Sequence, residues 1–130
     1  DADHVISAFK AHMDFSVEVF SSPAKRAQTT AHLFKDQLHI EDQHFHLEPS
    51  LYTFDVDEVL NFIKKLDVAF DNVMLFGHNP AFTDLVNRLG SLPIDNLPTT
   101  GLVSISFNVK SWKHIQKGET HFYLFPKYLR

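Results

Sequence analysis

Two segments of the chain share one design, and together they limit the folds open to it. V-E-V-F-S-S-P-A-K-R, residues 17–26, and V-M-L-F-G-H-N-P, residues 73–80, each run from a short β-rich stretch through a tight turn into a helical pattern. Ser22 suits a helix N-cap and Pro23 the first helical position. Asn79 and Pro80 repeat that pairing, and Gly90 marks a stop for the helix that follows. Strand-turn-helix units in series predict parallel strands with helical crossovers. In such sheets ligands bind beyond the carboxyl ends of the strands. Helix N-termini present free N–H groups and a positive dipole end there, which favours anions.

The rest of the chain fits an alternating pattern. Val5, Ile6, Phe9 and Met13 fall at helical spacing and predict an amphipathic helix over 2–13. The helix after the first junction is predicted to run to about Leu38. Phe45–Leu47 reads as a short strand. Asp55 caps a helix carrying Val56, Val59, Leu60, Ile63 and Leu66, with Glu58 placed as in a capping box. Val73–Phe76 is a continuous apolar run, the pattern of a buried strand. Leu102–Asn108 and His121–Phe125 read as two closing strands, the first with alternating serines on one face.

Composition excludes several classes. The 130 residues suit one domain, 1–130, with 44% apolar residues and 13 phenylalanines to fill a core. There is no Cys, so no disulfide framework and no thiolate metal site, and this fits the cytoplasm. A net charge of −4 without any basic run argues against a nucleic-acid surface. No apolar stretch has the length of a membrane span, and no secretory signal is visible.

Arg26 and His78 carry the chemistry. Arg26 stands in the helix after the first turn, and helical side chains lean back toward the N-terminus, so its guanidinium can grip a phosphate at the junction. The plain alternative is a surface Arg paired with an acid. His78 sits in the second turn itself, where an imidazole can donate to a phosphoryl oxygen or move a proton. Its plain alternative is a hydrogen bond within the turn. His44 and His46 share a strand face, but two imidazoles without a third ligand do not make a metal site. Glu48, Asp55, Asp57 and Glu58 are candidate acids, of which Asp55 and Glu58 are better read as caps. The remaining histidines read as surface or rim residues, and Trp112 as a packing residue before the last strand.

Several of these motifs resemble one family. Ser21-Ser22-Pro23-Ala24-Lys25-Arg26-Ala27 with Thr30-Ala31 resembles the S-S-P-x-x-R-A-x-x-T-A segment of the histidine phosphatase superfamily, the phosphoglycerate mutase-like proteins. Gly77-His78-Asn79-Pro80 and Leu97-Pro98-Thr99-Thr100-Gly101 resemble the G-H-N-P and L-P-T-x-G elements of its SixA-like phosphohistidine phosphatase branch. Ser111-Trp112 and Tyr123–Lys127 are also similar, so the likeness spans nearly the whole chain in order.

The resemblance implies a three-layer α/β/α fold around a mostly parallel sheet. It implies a phosphatase that passes the phosphoryl group through a nucleophilic His of an Arg-His motif on the first strand. Arg26 would bind the phosphoryl oxygens, His78 would stabilise charge on the transferring group, and Ser22 would assist. No metal or organic cofactor is implied. No Arg-His pair occurs in the 130 residues, so the expectation is an N-terminally incomplete domain whose first strand is missing. Leu51-Tyr52-Thr53, the nearest equivalent of the position where many members of the superfamily place a Glu, holds no acid, in keeping with the SixA-like branch. A phosphorylated protein is the expected substrate. A small phosphate ester, or a non-catalytic phosphate-binding role, are the alternatives. Neither nucleic acid nor membrane is expected as a partner, and the sequence leaves the oligomeric state open.

Overall fold

The structure, a computed structural model, describes residues 2–129. Helix α1 spans Ala2–Lys10 and buries Val5, Ile6 and Phe9. It stops short of Met13 because His12 and Met13 bond back three residues, to Phe9 and Lys10, and tighten the last turn. Strand β1 is Glu18–Ser21, helix α2 Lys25–Gln37 and strand β2 Phe45–Leu47. Helix α3 is Val56–Lys64, strand β3 Val73–Phe76 and helix α4 Ala81–Leu89. Strands β4, Leu102–Ser106, and β5, Glu119–Leu124, close the chain.

The three parallel strands lie in the order β2-β1-β3. Val19 pairs with Phe45 on one side and Met74 on the other, which puts Ser21 beside both Leu47 and Phe76. Both junctions therefore leave the sheet side by side. Alternation along the strands feeds two cores. Phe20 packs with Leu51, Val59, Leu60, Ile63 and Leu85, under α3 and α4. Val19 faces the other way, and Met74 and Phe76 meet the cores beneath α1 and α2, where Ile6, Phe9 and Phe34 are buried. Each such large side chain contributes roughly 1.5–3 kcal/mol through burial. The helices thus flank the strands as three layers.

The five strands of the described residues form two sheets. β4 and β5 pair antiparallel, with an irregularity at Ser104/Ile105. Among the described residues, β3 and β4 bond to no strand across the space between them. That space is a cavity of about 1170 Å³ whose lining includes Met74, Phe76, Leu102, Ser104, Phe9 and Phe122. This explains one departure from the sequence reading: β3 is half-buried along its whole length. Its apolar run faces the cavity at the edge of the sheet.

Candidate active site

Both junctions are built by side-chain oxygens. Ser22 Oγ accepts the Ala24 N–H at 3.2 Å. Asn79 Oδ1 accepts from the Thr83 N–H at 3.0 Å and from the Thr83 hydroxyl at 2.9 Å. α2 begins at Lys25 after the N-cap Ala24, and α4 at Ala81 after the N-cap Pro80, so Ser22 and Asn79 are not the N-caps and neither Pro23 nor Pro80 opens its helix. Arg26 consequently lies in the first turn of α2. A Cβ on Gly77 would sit 2.5 Å from Phe82 Cε1, so a larger residue there would have to displace that ring.

The two junctions meet through one contact. His78 Nε2 and Ser22 Oγ are 2.8 Å apart, linking residues 56 positions apart in sequence. Both are buried, Ser22 fully and His78 with 4% exposure. Ser22 Oγ already accepts the Ala24 N–H, so its hydroxyl proton is free to donate to a neutral imidazole. Burial, first, and the charge of nearby Arg26, second, hold the His78 pKa below its ordinary value of 6.5. The imidazole is therefore neutral near pH 7. His78 does not merely bond its own turn.

Arg26 is exposed at the mouth. Among the described residues no carboxylate forms an ion pair with it, in contrast to Arg88, which meets Asp57 at 2.7 Å. The four candidate acids are engaged elsewhere. Glu48 accepts from Ser50, Asp55 caps the Asp57 N–H and Asp57 holds Arg88. Glu58 accepts from the Thr53 hydroxyl, while the same hydroxyl accepts the Asp55 N–H. Thr53 thus takes the place of the direct reach from Glu58 that a capping box would make.

The Leu97–Gly101 loop completes the rim. Asn79 Nδ2 donates to Leu97 O at 2.8 Å, and the Leu97 N–H donates to Thr83 Oγ1 at 3.0 Å. The G-H-N-P and L-P-T-x-G segments are therefore one structural unit. Tyr52 and Phe54 stand against His78, with ring centroids 5.2 and 6.1 Å away. The sequence reading missed both, although two aromatic residues in an otherwise polar loop were a usable signal.

It also missed Glu18. His44 Nδ1 and His46 Nε2 approach its two carboxylate oxygens at 2.8 and 2.5 Å. Burial raises the Glu18 pKa, but the hydrogen bonds and charges of the two histidines outweigh it and bring the value below 4.5. This cluster is a hydrogen-bonded clasp of two imidazoles on one carboxylate. Among the described residues no group of three or more His, Cys, Asp and Glu is arranged to hold a metal ion. No described helix is long and apolar enough to cross a membrane.

A buried imidazole and a hydroxyl meet beside the start of α2, with the Arg26 guanidinium near enough to act on the imidazole's charge and no described acid paired with it. That arrangement can hold a tetrahedral oxyanion.

No protein-family model and no curated protein sequence matches the chain. Two solved structures are similar to it. A protein histidine phosphatase, SixA, complexed with tungstate superposes with a TM-score of 0.78 at 19% identity, over 99% of this chain and 80% of that one. A SixA protein of Nakamurella multipartitia, assigned as a phosphohistidine phosphatase, gives 0.78 at 16% identity, over 96% and 81%. The chain therefore has the fold of the SixA-type histidine phosphatases.

Proposed function

We propose that the protein is a phosphohistidine phosphatase acting on a phosphorylated protein, with Arg26, His78 and Ser22 as its phosphoryl-binding groups. The observation that carries this reading is the contact between the two junctions. His78 and Ser22 meet at 2.8 Å beside an Arg26 that no described acid neutralises. Arg26 grips two phosphoryl oxygens. His78 donates to the transferring group and takes up a proton as the anion arrives, because a nearby negative charge reverses the effect of burial on its pKa.

The nucleophile in this reading is a histidine on one further strand seated between β3 and β4. The cavity of about 1170 Å³ supports this, since it separates two strand edges and its lining includes Gly77, His78 and Arg26. The nucleophilic imidazole attacks phosphorus, the bond from phosphorus to the substrate nitrogen breaks, and the departing imidazole keeps the bond's electron pair and takes a proton. Water then attacks the phosphorylated enzyme histidine and releases inorganic phosphate. No metal or cofactor enters these steps. The cysteine-free chain suits a reducing compartment such as the cytoplasm.

The segment between α2 and α3 holds only a short strand and two single 3₁₀ turns, too little to form a lid. An open site favours a protein substrate over a small ester. A non-catalytic phosphate-binding module is favoured by one observation, the lack of an Arg-His pair in the 130 residues. The full protein, incubated with a phosphohistidine-bearing protein, should release phosphate. Phosphate binding without release would favour the module.

A further inference from the structure

We propose that Tyr52 and Phe54 form the seat for the leaving group, an aromatic five-membered ring bonded directly to the phosphoryl group. This rests on the phosphohistidine reading and specifies how the same site would recognise the ring as well as the phosphate.

The two side chains are 61% and 58% exposed, although most of the protein's aromatic residues are at least partly buried. Their loop is anchored on both sides. Leu51, just before them, is fully buried, and the Tyr52 N–H donates to Pro49 O. Between them Thr53 bonds Glu58, and just after them Asp55 caps α3. The rings are thus exposed yet held in place, beside the buried His78.

A shallow groove of about 630 Å³ lies between Tyr52 and the start of α2, lined by Ala24, Lys25, Arg26, Thr29 and Tyr52. Its one aromatic wall stands across from the guanidinium that would hold the phosphoryl group. A free phosphate has no use for that wall. A ring attached to phosphorus lies flat against it, with the phosphoryl oxygens on Arg26 and the ring face on Tyr52. Phe54, two residues on, stands nearly perpendicular to the His78 ring with centroids 6.1 Å apart.

The experiment compares, by titration calorimetry on the full chain, a peptide carrying a triazole phosphonate analogue of phosphohistidine with inorganic phosphate. The analogue should bind roughly 10-fold tighter than phosphate, the order of one good ring contact. That ratio should fall toward one in the double variant Tyr52→Ala, Phe54→Ala, and persist in Tyr52→Phe, which keeps the ring face. A ratio unchanged by the double variant overturns the seat. So does a ratio of one in the unaltered protein that still binds phosphate. A phosphotyrosine peptide that binds more tightly than the analogue overturns the assignment to a directly bonded five-membered ring. Failure of the unaltered protein to bind phosphate overturns the underlying reading, and the seat with it.

Discussion

Two histidine groups sit on the same three parallel strands and are arranged in opposite ways. At the amino end of β1, His44 and His46 close on the Glu18 carboxylate, which is 11% exposed. At the carboxyl end, His78 meets a hydroxyl and an arginine, with no described carboxylate in an ion pair there. The first group satisfies its own charge and offers nothing to a ligand. The second joins His78 to Ser22 but leaves the Arg26 charge without a described acid partner, and in the proposed function a phosphoryl group is that partner. Histidines by themselves do not mark the site. The sign of what surrounds them does.

The largest test of that contrast is Arg26→Ala. Losing a bidentate charged partner should weaken phosphate binding roughly 100-fold, about 3 kcal/mol. Arg88→Ala, which removes an exposed arginine already paired with Asp57, should leave binding within twofold. Calorimetric titration of both variants checks this, and similar losses in the two would erase the contrast.

A smaller effect is expected from His78→Gln, about tenfold on anion affinity. Its signature is pH dependence, read with sulfate because that ion does not titrate in the range. In the free protein His78 is protonated only below its ordinary 6.5, and a bound anion raises its pKa. Sulfate affinity should therefore climb as pH falls through the anion-bound pKa, and level off below the free-protein pKa. His78→Gln should flatten that climb. The same depressed pKa contributes stability that is fully present above 6.5 and lost as pH falls through the folded value.

Glu18→Gln sharpens the other half. It should reduce unfolding stability by about 1 kcal/mol in urea denaturation, a modest effect because His44 and His46 stay well exposed to water. The native Glu18 contribution is present above 4.5 and lost as pH falls through its lowered pKa, so the variant should show a flatter acid limb. Phosphate affinity should be unchanged. A loss of phosphate binding here would mean that the two clusters are not independent.

Much of this was legible in the sequence, for local reasons. Val73–Phe76 is a strand, as its apolar run predicts, though a half-buried one, and the Ser22 and Asn79 oxygens accept backbone N–H groups at the two turns, although the N-caps themselves are Ala24 and Pro80. Gly90 ends α4 and Asp55 begins α3. What could not be read depends on register and long-range packing. Glu18 reaches His44 and His46 only because Val19 pairs with Phe45 in the parallel ladder. His78 finds Ser22 only because β1 and β3 are neighbours that end level. Tyr52 and Phe54 reach His78 across a loop whose path is set by the burial of Leu51. Pro23 and Pro80 have the backbone angle that suits a first helical position, but that preference is local and does not fix where the helix starts, which is one or two residues later.

The most direct measurement is the position of a heavy oxyanion in crystals of the full chain soaked in tungstate, located by its anomalous signal. A single strong peak is expected within hydrogen-bond reach of the Arg26 guanidinium and the His78 imidazole, lost in Arg26→Ala crystals. A peak elsewhere on the molecule, or no peak in well-diffracting unaltered crystals, would contradict it.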